Sequence, residues 1–353
     1  MLKIKTHTRT ISDQSPVYII AEIGSNFDGS LKKAFKMIDL AAKVGADCAK
    51  FQSFLPDKII SKSGFGKTRN SFQAKWTKPV YQVYKEASLP REWHVQLKRY
   101  CDKRSIDFAS APYDTAAVDL LVDIGVPFLK IGSGEVSNLE FIRYVARTKK
   151  PLLISVGSVT LAEIDEMMQV IRKTGNERVL LLQCVTNYPS PFEDANIRFI
   201  ETLRSAFGVM VGYSDHTPGH TVPLGAVTLG AKVIEKHFTD NKQGHGPDHP
   251  FALDPNEFAT MVKEIRNLEM ALGSGVKTVY ASEAETQVLQ RRSLYSAVDI
   301  KRGQTITRDM LTMLRPAKGV QPKLIDVFVG KIAQRNLAAD KPVGWDLITR
   351  QHR

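Results

Sequence analysis

Cysteine is scarce in this chain. Cys48, Cys101 and Cys184 are the only three in 353 residues, they lie far apart, and none forms a CxxC. Scattered thiols in odd number argue against a disulfide framework or a zinc knuckle and fit a reducing compartment. Long apolar runs are also missing. No stretch approaches the roughly 18 residues of a membrane helix, and the opening MLKIKTHTRTISDQSP has no apolar signal-peptide core. The expectation is a soluble, cytoplasmic protein that does not enter a membrane. No internal repeat or low-complexity tract occurs, and no strand-like run leads into GxGxxG. One phosphate-loop lookalike, SGFGKT at 63–68, is too short for a Walker A sequence and has no strand ahead of it.

Acidic residues are the minority. Lys and Arg number 49 against 37 Asp and Glu, a net charge of +12. Such a surplus invites an anionic partner: nucleic acid, a membrane surface or a phosphorylated small molecule. The basic residues form no block and are not interleaved with aromatics, so the small anion is expected and nucleic acid is not. At 43% hydrophobic and 24% charged residues the composition is globular. The length suits an α/β barrel of about 250 residues with a small extra domain.

Eight short apolar runs alternate with longer amphipathic segments. The runs span 17–22, 47–52, 106–110, 128–133, 152–155, 179–184, 209–214 and 232–237. None shows clean polar alternation, which suits parallel strands covered on both faces. Between them, 30–44 starts with a capping Ser30 and ends before Gly45, while 160–174 carries a Thr160/Glu163 capping box and stops at Gly175. A third amphipathic stretch covers 255–272. This reads as a (β/α)8 TIM barrel, an α/β fold, in preference to a doubly wound open sheet. The 55–89 connection is long enough to be a lid on the face of the strand carboxyl ends. The rhythm changes after Gly273–Gly275. The division expected is a barrel over 1–275, a linker over 276–290 with a short helix, and a small mostly-β domain over 291–353.

In such a barrel the chemistry sits where the strands end. All eight predicted strands end in polar or ionisable groups: Glu22; Lys50 and Gln52; Ser110 and Tyr113; Lys130, Ser133 and Glu135; Ser155; Gln183, Asn187 and Tyr188; Ser214, Asp215 and His216; Glu235, Lys236 and His237. Buried charges are costly unless paired or ligated, so the recurrence points to one shared site. His216 and His237 end adjacent strands and can share a divalent metal, with the carboxylates of Glu22 and Asp248 nearby. Oxygen ligands favour Mn2+ or Mg2+ over structural zinc. His220 and His245 sit on loops and are not expected as ligands; His249 is open. Lys50, Lys130, Ser133, Ser155 and Ser214 form a donor set suited to phosphate. Equally, the two lysines could pair with Glu22 and Glu135.

The motifs IIAEIGSNFDGS (19–30), AKFQ (49–52), LKIGSGE (129–135), QCVTNYPSP (183–191), GYSDHTPG (212–219), IEKHFT (234–239) and GPDHPFALDP (246–255) resemble those of the sialic acid (N-acetylneuraminate) synthase family. RRSLYSAVDIKRGQTIT (291–307), LRPAKGV (314–320) and FVGKIAQRNLAADKPV (328–343) resemble its C-terminal antifreeze-like (SAF) domain. The resemblance covers nearly the whole chain. It implies condensation of phosphoenolpyruvate with an N-acylated hexosamine, N-acetylmannosamine first, to give a nonulosonic acid and phosphate. It implies Mn2+ on His216 and His237, with Mg2+ or Co2+ as alternatives. By the same resemblance Glu22 is the acid/base group, and Lys50, Lys130, Ser133, Ser155 and Ser214 bind phosphate and carboxylate, with Glu135 in support. Gln52, Tyr188 and Asp248 contact the sugar, with Tyr113 and Asn187 among the substrate-binding residues. It further implies a homodimer with a swapped C-terminal domain, whose Arg315 reaches the N-acyl group.

The chain departs from the family pattern at Phe27, Ala111, Tyr113, Val156, Ser158 and Gln183. Loss of polar groups at Phe27 and Val156 leaves open the precursors of legionaminic or pseudaminic acid. A metal-dependent pyruvate aldolase on the same barrel is the more distant alternative.

Overall fold

The computed structural model describes residues 3–65 and 73–349, so the end of the SGFGKT segment lies outside the described residues. The chain divides into two compact units, Met1–Gly273 and Ser274–Arg353. Eight strands make the sheet of the first: β1 Tyr18–Gly24, β2 Cys48–Ser53, β3 Asp107–Pro112, β4 Leu129–Ile131, β5 Leu152–Ser155, β6 Val179–Cys184, β7 Met210–Asp215 and β8 Val233–His237. Every registered pairing among them is parallel, and the hydrogen-bonded order is β3-β2-β1-β8-β7-β6-β5-β4. β3 and β4 lie side by side and close the ring. Successive strands are therefore neighbours all the way round. A doubly wound sheet would reverse direction at a switch point, so the barrel reading holds.

Helix boundaries follow local chemistry. Helix α1, Leu31–Lys43, is capped by Ser30, whose hydroxyl accepts the Lys33 amide at 3.2 Å. Helix α2, Leu161–Lys173, opens on the Thr160/Glu163 capping box and buries Ile164, Met167, Met168 and Ile171. Helix α3, Pro255–Leu272, opens on an Asp254/Glu257 box with proline in the first turn. Among the described residues no helix is long and apolar enough to cross a membrane.

Alternation along each strand splits the core in two. Ile19, Ala21, Phe51, Phe108, Leu181 and Val211 face the helices. Ile20, Cys48, Ala109, Leu153, Leu180 and Val233 fill the barrel interior, together with Ile4 and Ile11. Those last two come from an amino-terminal hairpin, Ile4–Lys5 paired with Thr10–Ile11. Asp107, at the foot of β3, ties the hairpin down by accepting from the Tyr18 hydroxyl at 2.7 Å, the Thr8 hydroxyl at 2.6 Å and the His7 amide at 3.0 Å.

The 55–89 connection is not a bare loop. It contains short helices at Pro56–Ile59 and Val80–Ala87. The second unit begins with a helix at Ala284–Gln290 and pairs β9, Ser293–Ser296, antiparallel to β10, Leu311–Leu314. Isolated bridges at Tyr295–Pro342, Ile300–Leu337 and Thr305–Ile332 complete it around Leu294, Ile300, Ile306 and Phe328. Regular strand is thus sparser than the sequence implies, because chain crossings there are tight. A Cβ on Gly319 would lie 2.6 Å from the Leu294 carbonyl oxygen and 2.9 Å from that of Val343.

Candidate active site

One layer above the apolar interior, the inward residues turn polar. Glu22 on β1 and Lys50 on β2 are register partners, and Lys50 Nζ lies 2.6 Å from Glu22 Oε2. Gln52, two residues further on, donates to Glu22 Oε1 at 2.7 Å. Glu235 on β8 accepts from the Ser214 hydroxyl at 3.0 Å and lies 3.6 Å from Lys50 and 3.4 Å from Lys130. All four charged groups are buried. Ser155 Oγ beside this layer is buried and has no hydrogen-bond partner among the described residues. Ser133 Oγ accepts the Gly157 amide at 2.9 Å.

Desolvation governs the electrostatics of this floor. Burial pushes the Glu22 carboxyl up to about 7, with Lys50 pulling against it and Glu235 adding to it. Burial alone would lower Lys50, but Glu22 and Glu235 outweigh it and hold the ammonium above the ordinary lysine range. Lys130 is held below that range by burial, which outweighs Glu235. Burial would raise Glu235, yet Lys130 and Lys50 keep it below the usual carboxylate range. The result is two ammonium groups sharing the Glu235 carboxylate, with Glu22 on Lys50 alone, beside an unsatisfied hydroxyl. An incoming anion finds donors already desolvated.

Above the floor stand the two imidazoles. The rings of His216 and His237 are 5.4 Å apart between centroids. Tyr188 packs at 4.2 Å from His216 and Phe251 at 4.9 Å from His237. His216 Nδ1 bonds the Val185 carbonyl oxygen at 2.7 Å, which fixes the proton on Nδ1 and leaves Nε2 as the free lone pair. His237 Nδ1 is buried without a partner among the described residues. Asp248 is anchored by the Ser25 amide at 3.2 Å and hydroxyl at 3.1 Å. Its carboxylate crowds Gly24, where φ is +53° and a Cβ would sit 2.4 Å from Asp248 Oδ2. A cavity of about 1120 Å3 opens beside this ring, lined among others by Ser25, Trp76, Val83, Tyr188 and Phe251.

The structure thus brings together Glu22, Lys50, Gln52, Lys130, Ser214, His216, His237 and Tyr188 as the sequence suggests, with Ser133 and Ser155 in the same mouth. Tyr113 is half-buried, and its hydroxyl packs on Gly132. Glu135 is half-buried, with its carboxyl raised by burial. It is not the partner of Lys130; Glu235 is. Asn187 is exposed and its Oδ1 accepts the Tyr188 amide at 3.1 Å. Arg315 is exposed on the second unit, just after β10, and joined by a cis peptide to Pro316.

Several strand-end residues point the other way. Ser110 meets the Ser53 hydroxyl at 2.6 Å, Gln183 donates to the Ala195 carbonyl at 3.2 Å, and Asp215 pairs with Lys236. All lie in the shell behind the barrel, because alternate residues of a strand face opposite sides. The same holds for two family departures. Phe27 packs at 6.3 Å from Phe51 and 6.1 Å from Trp93, and Val156 joins the outer core, so neither change strips a polar group from the site. The expected carboxylates do not join the imidazoles either: among the described residues no cluster of three His, Cys, Asp or Glu side chains could hold a metal. His249, left open by sequence, bonds Asp28 at 2.9 Å and Thr239 at 2.6 Å. Glu235 is among the strand ends that the sequence groups in one site, but its pairing with Lys50 and Lys130 is not legible there. Its spacing, two residues before His237, puts it on the same face.

Residues 37–277 match the NeuB family and residues 291–349 match the SAF domain. An N,N'-diacetyllegionaminic acid synthase of Campylobacter jejuni is 39% identical over 92% of this chain and 97% of its own length. A pseudaminic acid synthase of Helicobacter pylori is 35% identical over 95% of this chain and 98% of its own. A crystal structure of an N-acetylneuraminic acid (sialic acid) synthetase from Leptospira borgpetersenii superposes with a TM-score of 0.71 at 32% identity, covering 81% of this chain and 95% of that one.

Proposed function

The chain belongs to the NeuB family, and on that premise we propose that it condenses phosphoenolpyruvate with an N-acylated hexosamine and water, giving a nonulosonic acid and inorganic phosphate. One observation carries the reading: two buried lysines share the Glu235 carboxylate at the barrel floor, beside a Ser155 hydroxyl unpartnered among the described residues. That set suits an anion bearing both phosphate and carboxylate.

In this reading Lys50, Lys130, Ser133, Ser155 and Ser214 hold the phosphate and carboxylate, and Glu135 supports them. Gln52, Tyr113, Asn187, Tyr188 and Asp248 orient the sugar in its open-chain form. Carbon 3 of the enolpyruvate attacks the sugar aldehyde carbon, forming the new C–C bond as the carbonyl π bond breaks; the aldehyde oxygen takes up a proton to become a hydroxyl, and cationic character is left at carbon 2. Water adds there, Glu22 takes its proton, and the tetrahedral adduct expels phosphate by C–O cleavage. His216 and His237 would hold a divalent cation, Mn2+ first and Mg2+ or Co2+ as alternatives. Such an ion supplies Lewis-acid polarisation of the aldehyde oxygen. The two residues fit that role: one ring presents Nε2 with its other nitrogen tied to a carbonyl, and the other holds an orphan buried nitrogen. A homodimer with an exchanged C-terminal domain, and Arg315 as reader of the N-acyl group, belong to the same proposal.

N-Acetylmannosamine is the first candidate sugar. The cavity wall favours a second, the precursors of N,N'-diacetyllegionaminic or pseudaminic acid, since Trp76, Val83, Tyr188, Pro250 and Phe251 present apolar surface to which an acyl methyl can pack. A panel of N-acylated hexosamines with phosphoenolpyruvate and Mn2+, read by product mass and phosphate release, tests both. Phosphate released with none of them would overturn the synthase and favour the pyruvate aldolase.

A further inference from the structure

Two opposite charges sit in the shell behind the site. Asp215 on β7 and Lys236 on β8 are each 1% exposed. They are register partners across the two strands, with Nζ and Oδ2 2.5 Å apart. Alternation turns both away from the barrel interior, where their sequence neighbours Ser214 and Glu235 bond each other. Neither can reach a reactant on the floor. A buried pair is weak evidence for stability, because desolvation offsets its attraction, so its location calls for another account.

The bonds of the pair converge on one residue. Asp215 Oδ1 accepts the Thr217 amide at 3.0 Å and the Thr217 hydroxyl at 2.9 Å. Lys236 Nζ donates to the Thr217 carbonyl oxygen. His216 lies between Asp215 and Thr217 in the chain, and His237 follows Lys236 directly. The ion pair therefore closes a ring of contacts across the ends of β7 and β8, from behind the two residues that carry the imidazoles. In front, the Val185 carbonyl holds the His216 ring.

We propose that Asp215 and Lys236 are positioning residues which set the spacing and tilt of His216 and His237 for a divalent cation. The inference rests on the reading of that histidine pair as a metal site. Ligand placement tolerates only a few tenths of an ångström, and a strand end released from behind loses that precision.

The test uses chelator-treated full-length protein and Mn2+ alone, with free Mn2+ followed by electron paramagnetic resonance. Wild type should bind one Mn2+ per chain and His216→Ala/His237→Ala should not. Failure of wild type to bind overturns the metal reading and this inference with it. The double variant Asp215→Asn/Lys236→Met removes both charges at once, which leaves no orphan ion and should keep the thermal midpoint near that of wild type. Its Kd for Mn2+ should rise about 10- to 100-fold. Lys236→Arg, which keeps the charge but not the compact bond to Thr217, is a second folded probe and should give an intermediate rise. Wild-type Kd in either folded variant, with wild type itself binding, would overturn the positioning role and leave the metal site standing.

Discussion

The ammonium of Lys50 sits 2.6 Å from the carboxylate of Glu22, both out of water. At this spacing neither group acts alone. The pair keeps a carboxyl that burial pushes up to about 7 beside a lysine that stays charged.

The first prediction follows from that balance. If Glu22 takes the proton of the attacking water, it must be ionised, so activity rises with pH through about 7. Glu22→Gln should lower kcat by about 10²- to 10⁴-fold and flatten that limb, with little change in KM for phosphoenolpyruvate. A pH–rate profile of both proteins checks this. A limb that survives in the variant assigns the ionisation elsewhere.

Glu235 separates the two lysines. Glu235→Gln leaves Lys130 without its nearest carboxylate. Breaking a buried pair from one side costs about 3–5 kcal/mol, so the urea midpoint should fall clearly. Lys130→Met keeps no orphan ammonium. It should instead raise KM for phosphoenolpyruvate, about tenfold or more for the loss of one charge-assisted contact.

Acid should weaken the fold through His94. The side chain is fully buried, its Nε2 2.5 Å from the Ser53 hydroxyl and its Nδ1 3.2 Å from the Pro90 carbonyl oxygen. Burial first, and then Arg91, lower its pKa to about 4 from an ordinary 6.5. Between those values the unfolded chain binds the proton and the native one does not. The stability is complete above about 6.5 and is lost as pH falls toward 4, by about 3 kcal/mol in all. Urea midpoints at pH 7.5 and 5 should differ more for wild type than for His94→Gln. Equal differences would sink the assignment.

Protomer exchange is checked by mixing. His216→Ala and Arg315→Ala should each be nearly inactive alone. If Arg315 serves the partner's barrel, refolded mixtures should recover about a quarter of wild-type activity, since half the dimers carry one intact site of two. No recovery places Arg315 in its own protomer's service or in none.

Much of this was readable from residues alone, for a physical reason. Strands buried on both faces are continuous apolar runs, so 152–155 and 179–184 could be placed to the residue, and capping chemistry marked Thr160. The same continuity hides which side a polar strand-end residue faces. Ser110, Gln183 and Asp215 therefore read as site residues although they face the helices. Phe27 read as a loss at the site although it packs on Trp93. The pairing of Glu235 with Lys50 and Lys130 escaped because pairing across a barrel depends on register, which no local pattern encodes. The wall supplied by Trp76 and Val83 comes from a connection without periodicity, so its packing left no signature.

The apolar layer that fills the barrel, Ile20, Ala109, Leu153 and Val233 with Ile4 and Ile11 of the hairpin beneath, makes the site above it a well. On the proposed reaction the small anion lies at the bottom and the sugar above it. A well is emptied from the top. Phosphoenolpyruvate must then arrive before the sugar, and the phosphate left at the floor must wait for the nine-carbon acid to go. The order of arrival and departure becomes a property of shape, set by the apolar layer that lies directly beneath Glu22.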